Sequence, residues 1–325
     1  APAAASLGGR RLAAGLAAVV ICGLAARTVV RNLDWHDNTR LWRSAVQVCP
    51  NSFKVYKGLA TSLAHDPAQL DECIRLAQHA VEVVDRNPLP LEHSPNGLLC
   101  DLVRYEMTKG DRLTRTAGDA GAAAWYGKAE RVLERAIRAD RAVNAAARRG
   151  SLARGMSPDA YHDVGLAEIY GLQARLCLRF KRYSDAIEAC RWDVHLKPDN
   201  GPTYLLWAEI SAASGELDEA AIHLIQATML TQQQPPAWSL LERIYSVLQP
   251  GVHAVVRGPQ GAVSLNEDIP LVRRHLNQAC RGLVEILLEA HYRDEAASMR
   301  ALAIEHYNCP PTEFADLFEQ STESP

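Results

Sequence analysis

The stretch "RTVVRNLDWHDNTRLW" at 27–42 gathers two carboxylates, Asp34 and Asp37, around His36, with Arg31 and Arg40 to either side. Imidazole and carboxylate oxygens are ordinary metal ligands and general bases, so such a trio has the groups for proton transfer or cation binding. A closed metal site needs a fourth ligand at helical spacing, and the sequence supplies none. The cysteines contain no C-x-x-C pair, and Cys73, Cys177, Cys190 and Cys280 fall where a helix is apolar, which reads as small buried thiols. No G-x-x-x-x-G-K-[ST], H-E-x-x-H or G-x-S-x-G occurs. The residues offer no catalytic group, no metal site and no cofactor-binding motif.

The trio is better explained by what precedes it. Leu12 to Val30 reads "LAAGLAAVVICGLAARTVV", broken only by Arg27 and Thr28. As a helix rising ~1.5 Å per residue it spans roughly 28 Å, close to the ~30 Å hydrocarbon thickness of a bilayer. A transmembrane helix over 12–30 is therefore expected, after a flexible flank at 1–11. A secretory signal with "GLAA" at 23–26, or a buried Ala-rich helix, is the competing reading. Residues 31–49 then form the membrane exit and a first helix. Trp35 and Trp42 suit the headgroup region, Arg31, with Arg40 and Arg43, suits its phosphates, and "DNT" at 37–39 supplies N-cap oxygens.

The charge balance, 35 Lys+Arg against 38 Asp+Glu for a net of -3, excludes broad nucleic-acid binding through phosphate neutralisation. Alanine and leucine dominate and no stretch alternates with strand period, so an all-α chain is expected. The sequence also repeats itself. "YGLQARLCLRFKRYSDAIEAC" from Tyr170 aligns with "YLLWAEISAASGELDEAAIHL" from Tyr204 at an offset of 34 residues, and Tyr204 meets Trp238 after the same interval. Each unit reads as helix, short turn, helix. Ala174, Ala186, Ala208, Ala220 and Ala227 mark where helices approach closely. A single hairpin cannot bury its apolar face, so the units must stack into a superhelix with a concave groove.

This pattern resembles the tetratricopeptide repeat. Tyr56, Leu59, Ala60, Leu63, Cys73, Leu76 and Ala80 fit an earlier unit, Ala129, Leu133 and Ala136 a second helix, and Leu283, Leu287 and Ala303 a degraded last one. The expected fold is a right-handed α-solenoid of tetratricopeptide-type hairpins over 50–310. Glycine and proline place insertions at 86–97, 114–124, 147–159 and 249–270, and 311–325 forms a tail.

The junction with its first repeat, "RNLDWHDNTRLWRSAVQVCPNSFKVYKGLA", resembles the transmembrane and tetratricopeptide-repeat O-mannosyltransferase-like proteins where their last membrane span meets the repeats. The matching residues are Arg31, Asn32, Trp35, Leu41, Trp42, Ala45, Pro50, Lys54 and Tyr56. The resemblance covers 12–85 and implies that catalytic acids lie in loops between earlier spans upstream of Ala1, leaving this chain the final span and the repeats. The chain's role is then to hold a protein or peptide in its groove, beside a membrane glycosyltransferase, with lipid contacted only through 12–30. A stand-alone anchored or secreted scaffold is the alternative. The arginines after the apolar run favour a cytoplasmic repeat domain by the positive-inside rule, whereas the resemblance implies an extracytoplasmic one. The resemblance is preferred because orientation depends on all spans together. Lys54 with Lys57, and Arg175 with Arg179, share helical faces and are the groove residues expected to meet a partly acidic partner.

Overall fold

The structure, a computed structural model, describes residues 3–87, 95–230, 235–250 and 269–320. Its secondary structure among these residues is helical throughout. Contacts divide the chain into two units, Ala1–Pro88 and Leu89–Pro325.

In the first unit, helix α1 spans Ala3–Leu33. The helix begins at Ala3, within the stretch 1–11 expected as a flexible flank. The 19 residues Leu12–Val30 are long and apolar enough to cross a membrane and bury none of their surface within the protein. A single 3-10 turn at Asp34–His36 leads into α2, Asn38–Val48. Asp37 caps α2 by accepting a hydrogen bond from the Thr39 amide at 3.1 Å, as the "DNT" triplet suggested. Helices α3, Phe53–Leu63, and α4, Leu70–Arg86, form a hairpin. Its core pairs Leu59, Ala60 and Leu63 with Cys73, Ala77 and Ala80.

The second unit opens with two long helices, α5, Asn96–Ala117, and α6, Asp119–Ala153. The insertion expected at 114–124 is thus a break at one residue, Gly118, whose φ of 77° and ψ of 179° suit glycine almost alone. The alanines around it have the highest helix propensity and continue the helices to either side. The same holds at 147–153, which ends α6 instead of looping out. The insertions expected at 86–97 and 249–270 lie mostly outside the described residues.

Hairpins follow in the 34-residue register: α7, Ala167–Arg179, with α8, Tyr183–Leu196, then α9, Gly201–Ser214, with α10, Leu217–Leu230. Ala174, Ala186, Ala208, Ala220 and Ala227 are all fully buried, where neighbouring helices touch. Both hairpin turns need a left-handed residue: Gly215 at φ 92° supplies it without strain, and Lys181 takes it at φ 57° in the equivalent position. Each turn closes with the same bond, Glu216 N–H to Ser211 O at 2.8 Å and Arg182 N–H to Cys177 O at 2.9 Å. Helix α11, Pro235–Leu248, follows. Then α12, Pro270–Glu289, and α13, Arg293–Tyr307, make the last hairpin. Within the stretch expected as a tail, residues 311–320 pack back: α14, Ala315–Gln320, and the turn before it bury Phe314 completely, and Arg281 binds Asp316 at 2.6 Å. Apolar Phe314 and Leu317 explain the docking, since exposing them costs hydrophobic free energy.

Candidate functional site

In the second unit, residues of α7, of the end of α8 and of α9, with Arg104 of α5, border a cleft of about 500 Å³. Leu172, Leu206 and Pro202 give it apolar walls, and Arg104, Arg175, Lys197 and Asn200 give it polar groups. Its polar floor is organised by a buried carboxylate. Asp193, 1% exposed, accepts a 2.7 Å hydrogen bond from the Asn200 amide, which also donates to Thr203 Oγ1 at 2.7 Å. Burial raises the Asp193 carboxyl above its ordinary value, and the bonds from Asn200 and Thr203 pull it part of the way back.

The cations differ in how committed they are. Arg104 is held by Asp101 at 2.7 Å and by Glu168. The side chains of Arg175 and Lys197 are exposed and make no hydrogen bond or ion pair among the described residues, though both lie close enough to Asp193 to lower its carboxyl. Arg179, the other arginine expected in the groove, is not among the residues lining this cleft. Its guanidinium binds Asp111 of α5 with both arms, at 2.9 and 3.1 Å. Burial alone would lift the Asp111 carboxyl, but Arg179 and the Tyr126 hydroxyl outweigh it and hold the group below the usual carboxylate range. Glu209 on α9 offsets part of the positive charge: desolvation raises its carboxyl and Arg175 and Arg179 lower it.

Lys54 and Lys57 lie in the first unit and line a different cleft, of about 710 Å³. Its other walls are Trp35, Trp42 and the 3-10 turn. Two sets of residues expected to act separately, the groove lysines and the membrane-interface tryptophans, therefore share one cavity. Trp35 projects into solvent at 70% exposed. Trp42 does not project: its indole lies against Gly58, where a Cβ would stand only 2.4 Å from the ring. It is a packing residue that joins α2 to α3. The third interface residue, Arg31, has a side chain outside the described residues, as does Asp34 of the acid/base trio, and Asp37 is engaged as the α2 cap.

A third cleft, about 430 Å³, is bordered by α8, α10 and α12. Sequence reading missed its centre, His223, stacked on Trp207 at 4.1 Å and bonded to Gln226 at 2.7 Å. Burial depresses the His223 imidazole to about 4, so it is neutral at physiological pH. Arg191 already covers the Trp207 ring at 6.0 Å. No group of three or more His, Cys, Asp or Glu side chains able to hold a metal ion exists among the described residues.

No protein-family model matches the chain, and no curated protein matches it. Solved structures do. YrrB, a TPR protein with an unusual peptide-binding site, is 12% identical over 78% of this chain and 97% of its own, with a TM-score of 0.42. A thermophilic TPR protein of Thermus thermophilus is 17% identical over 65% of this chain and 88% of its own, with a TM-score of 0.43. The TPR2AB domain of yeast Sti1, in complex with an HSP90 peptide, is 11% identical over 80% and 88%, with a TM-score of 0.25. These are likenesses of helical-repeat architecture; the fold itself rests on the helices and contacts above.

Proposed function

We propose that this chain is a membrane-tethered repeat module that holds an extended, partly acidic polypeptide in the α7–α9 cleft. One observation supports the reading: apolar walls at Leu172 and Leu206 flank two exposed cations, Arg175 and Lys197, whose side chains form no ion pair among the described residues, beside the amide of Asn200. Apolar walls with few fixed polar groups are what a peptide with alternating side chains recognises, and the cations select its charge. The apolar stretch Leu12–Val30 supplies the tether. On the resemblance of 31–56, the module is the C-terminal part of a membrane protein O-glycosyltransferase, with its repeats on the extracytoplasmic side and its cleft presenting acceptor polypeptide to catalytic segments outside this chain.

The test is binding of fluorescent peptides from an acidic library to the full chain in mild micelles. Arg175→Ala is expected to weaken the selected peptides about threefold to tenfold, and added salt to weaken them further. Equal affinity for wild type and Arg175→Ala at low salt would remove the cleft from the account.

A further inference from the structure

We propose that Cys280 and Cys309 are a dithiol pair that closes to a disulfide in the folded chain, with a small disulfide such as glutathione disulfide as the oxidant. The inference is independent of the peptide cleft and of the tether, since neither cysteine lines the α7–α9 cleft or belongs to the first unit.

The end of the last hairpin builds the pair. Cys280 lies on α12, fully buried, and Cys309 follows α13, 2% exposed. Asn308 ends α13 in the left-handed region at φ 50°, a conformation that asparagine tolerates, and the reversal lets the Cys309 N–H donate to Ala303 O at 3.1 Å. Two arginines of α12 bind the returning chain on either side of Cys309: Arg273 donates to Tyr307 O at 3.0 Å, and Arg281 pairs with Asp316 at 2.6 Å. Cys309 is thereby brought onto α12, where its sulfur accepts a hydrogen bond from the Cys280 thiol. Sulfurs already in contact need a further approach of roughly 1–2 Å to reach the ~2 Å of an S–S bond.

Packing accounts for a small apolar group at each position, but not for the polar groups that converge there. The hydrogen bond from Cys280 and the charge of Arg273 hold the Cys309 thiol below its usual range although burial opposes them, while Cys280, donating that bond inside the core, is pushed up. The Tyr307 hydroxyl, buried with no hydrogen-bond partner among the described residues, lies within electrostatic reach of both sulfurs. Burial and the two sulfurs push it up to about 12, so it remains a donor at physiological pH. The pair is thus asymmetric, and Cys309 is the nucleophile. Its thiolate attacks one sulfur of glutathione disulfide, whose S–S bond breaks and releases the first glutathione thiolate. Cys280 gives up its proton to that thiolate and attacks the Cys309 sulfur, which forms the protein disulfide and releases the second glutathione. Two protein thiols are oxidised, and one disulfide is reduced to two thiols. The oxidant reaches Cys309 when the segment after it lifts from α12, and the product holds that segment down.

The experiment incubates the reduced full chain, folded in mild micelles, with excess glutathione disulfide, quenches with acid, blocks remaining thiols with N-ethylmaleimide in urea and maps the peptides by mass spectrometry. The peptides carrying Cys280 and Cys309 are expected to be linked, two hydrogens lighter than the dithiol, while Cys73, whose thiol bonds to Ala60 O at 3.4 Å, should carry maleimide. Cys280→Ser should accumulate glutathione on Cys309, and Cys309→Ser should leave Cys280 free of it. Because the bond closes a loop of about 30 residues, oxidation should raise the thermal midpoint of wild type by roughly 5–10 °C and leave Cys309→Ser unshifted. Absence of the linked peptides from the folded chain overturns the proposal, as does a link that forms only in urea, or glutathione uptake by Cys280 equal to that by Cys309 in the two serine variants.

Discussion

Gly171 sits inside α7, where glycine is ordinarily unfavourable, and the reason is Asp193. A Cβ at Gly171 would stand 2.6 Å from Asp193 Oδ2, closer than real side chains approach. Gly171→Ala must therefore push the carboxylate away. Asp193 is 1% exposed, so no water replaces what it loses, and its 2.7 Å bond from Asn200 is the first casualty. A charged hydrogen bond of this kind contributes about 1.5–3 kcal/mol, against which alanine's helix propensity restores about 0.5–1 kcal/mol. The net expectation is destabilisation by about 1–2 kcal/mol. Urea unfolding of the full chain in mild micelles, followed by circular dichroism, measures it. The background Asp193→Ala should reverse the sign, making Gly171→Ala mildly stabilising, because the two sites are coupled through that one contact. Equal stability of Gly171→Ala and wild type would refute the argument that Asp193 dictates the glycine.

Three further outcomes are expected. His223 titrates near 4 in the fold and near 6.5 when unfolded, so the stability it contributes is present above about pH 6.5 and lost as pH falls toward 4; His223→Gln should flatten the difference between denaturant midpoints across that window, and an unchanged slope would count against a buried neutral imidazole. Phe314→Ala, at a fully buried position, should cost roughly 3–5 kcal/mol and expose 311–320 to carboxypeptidase, whereas resistance equal to wild type would restore the loose tail. Arg179→Ala should lower stability by up to about 1 kcal/mol, since its pair with Asp111 is partly exposed, while leaving peptide affinity alone; loss of affinity comparable to Arg175→Ala would return Arg179 to the groove.

The repeat was legible because its constraints are local and periodic. Alanine at 174, 186, 208, 220 and 227 recurs with the helix contacts, and each position proves fully buried. The N-cap triplet at 37–39 was legible for the same reason, since a cap bond joins neighbours in sequence. What spacing could not reveal are contacts made across sequence. Arg175 and Arg179 look equivalent on one helical face, yet Arg179 is claimed by a carboxylate 68 residues away. Trp42 has the composition of a membrane anchor, and only the glycine opposite shows that its ring packs inward. His223 carries no motif; its burial against Trp207 follows from helices meeting, and the stacking of α12 near it could not be placed without the fold. Glycines at 118 and 121 suggested a loop at 114–124, but two long alanine-rich helices need only one of them, Gly118, to turn.

The central claim is that polypeptide lies along the α7–α9 cleft, and site-specific photocrosslinking reports position directly. A benzophenone amino acid at Pro202, an exposed residue on the cleft wall, is combined with an acidic peptide selected for binding to the full chain. The same group at Arg138, an exposed residue of α6 outside the cleft, is the comparison. The account predicts a peptide adduct at Pro202 that disappears with Arg175→Glu, and none at Arg138. Adducts of equal yield at both positions, or an adduct at Pro202 indifferent to Arg175→Glu, would contradict it.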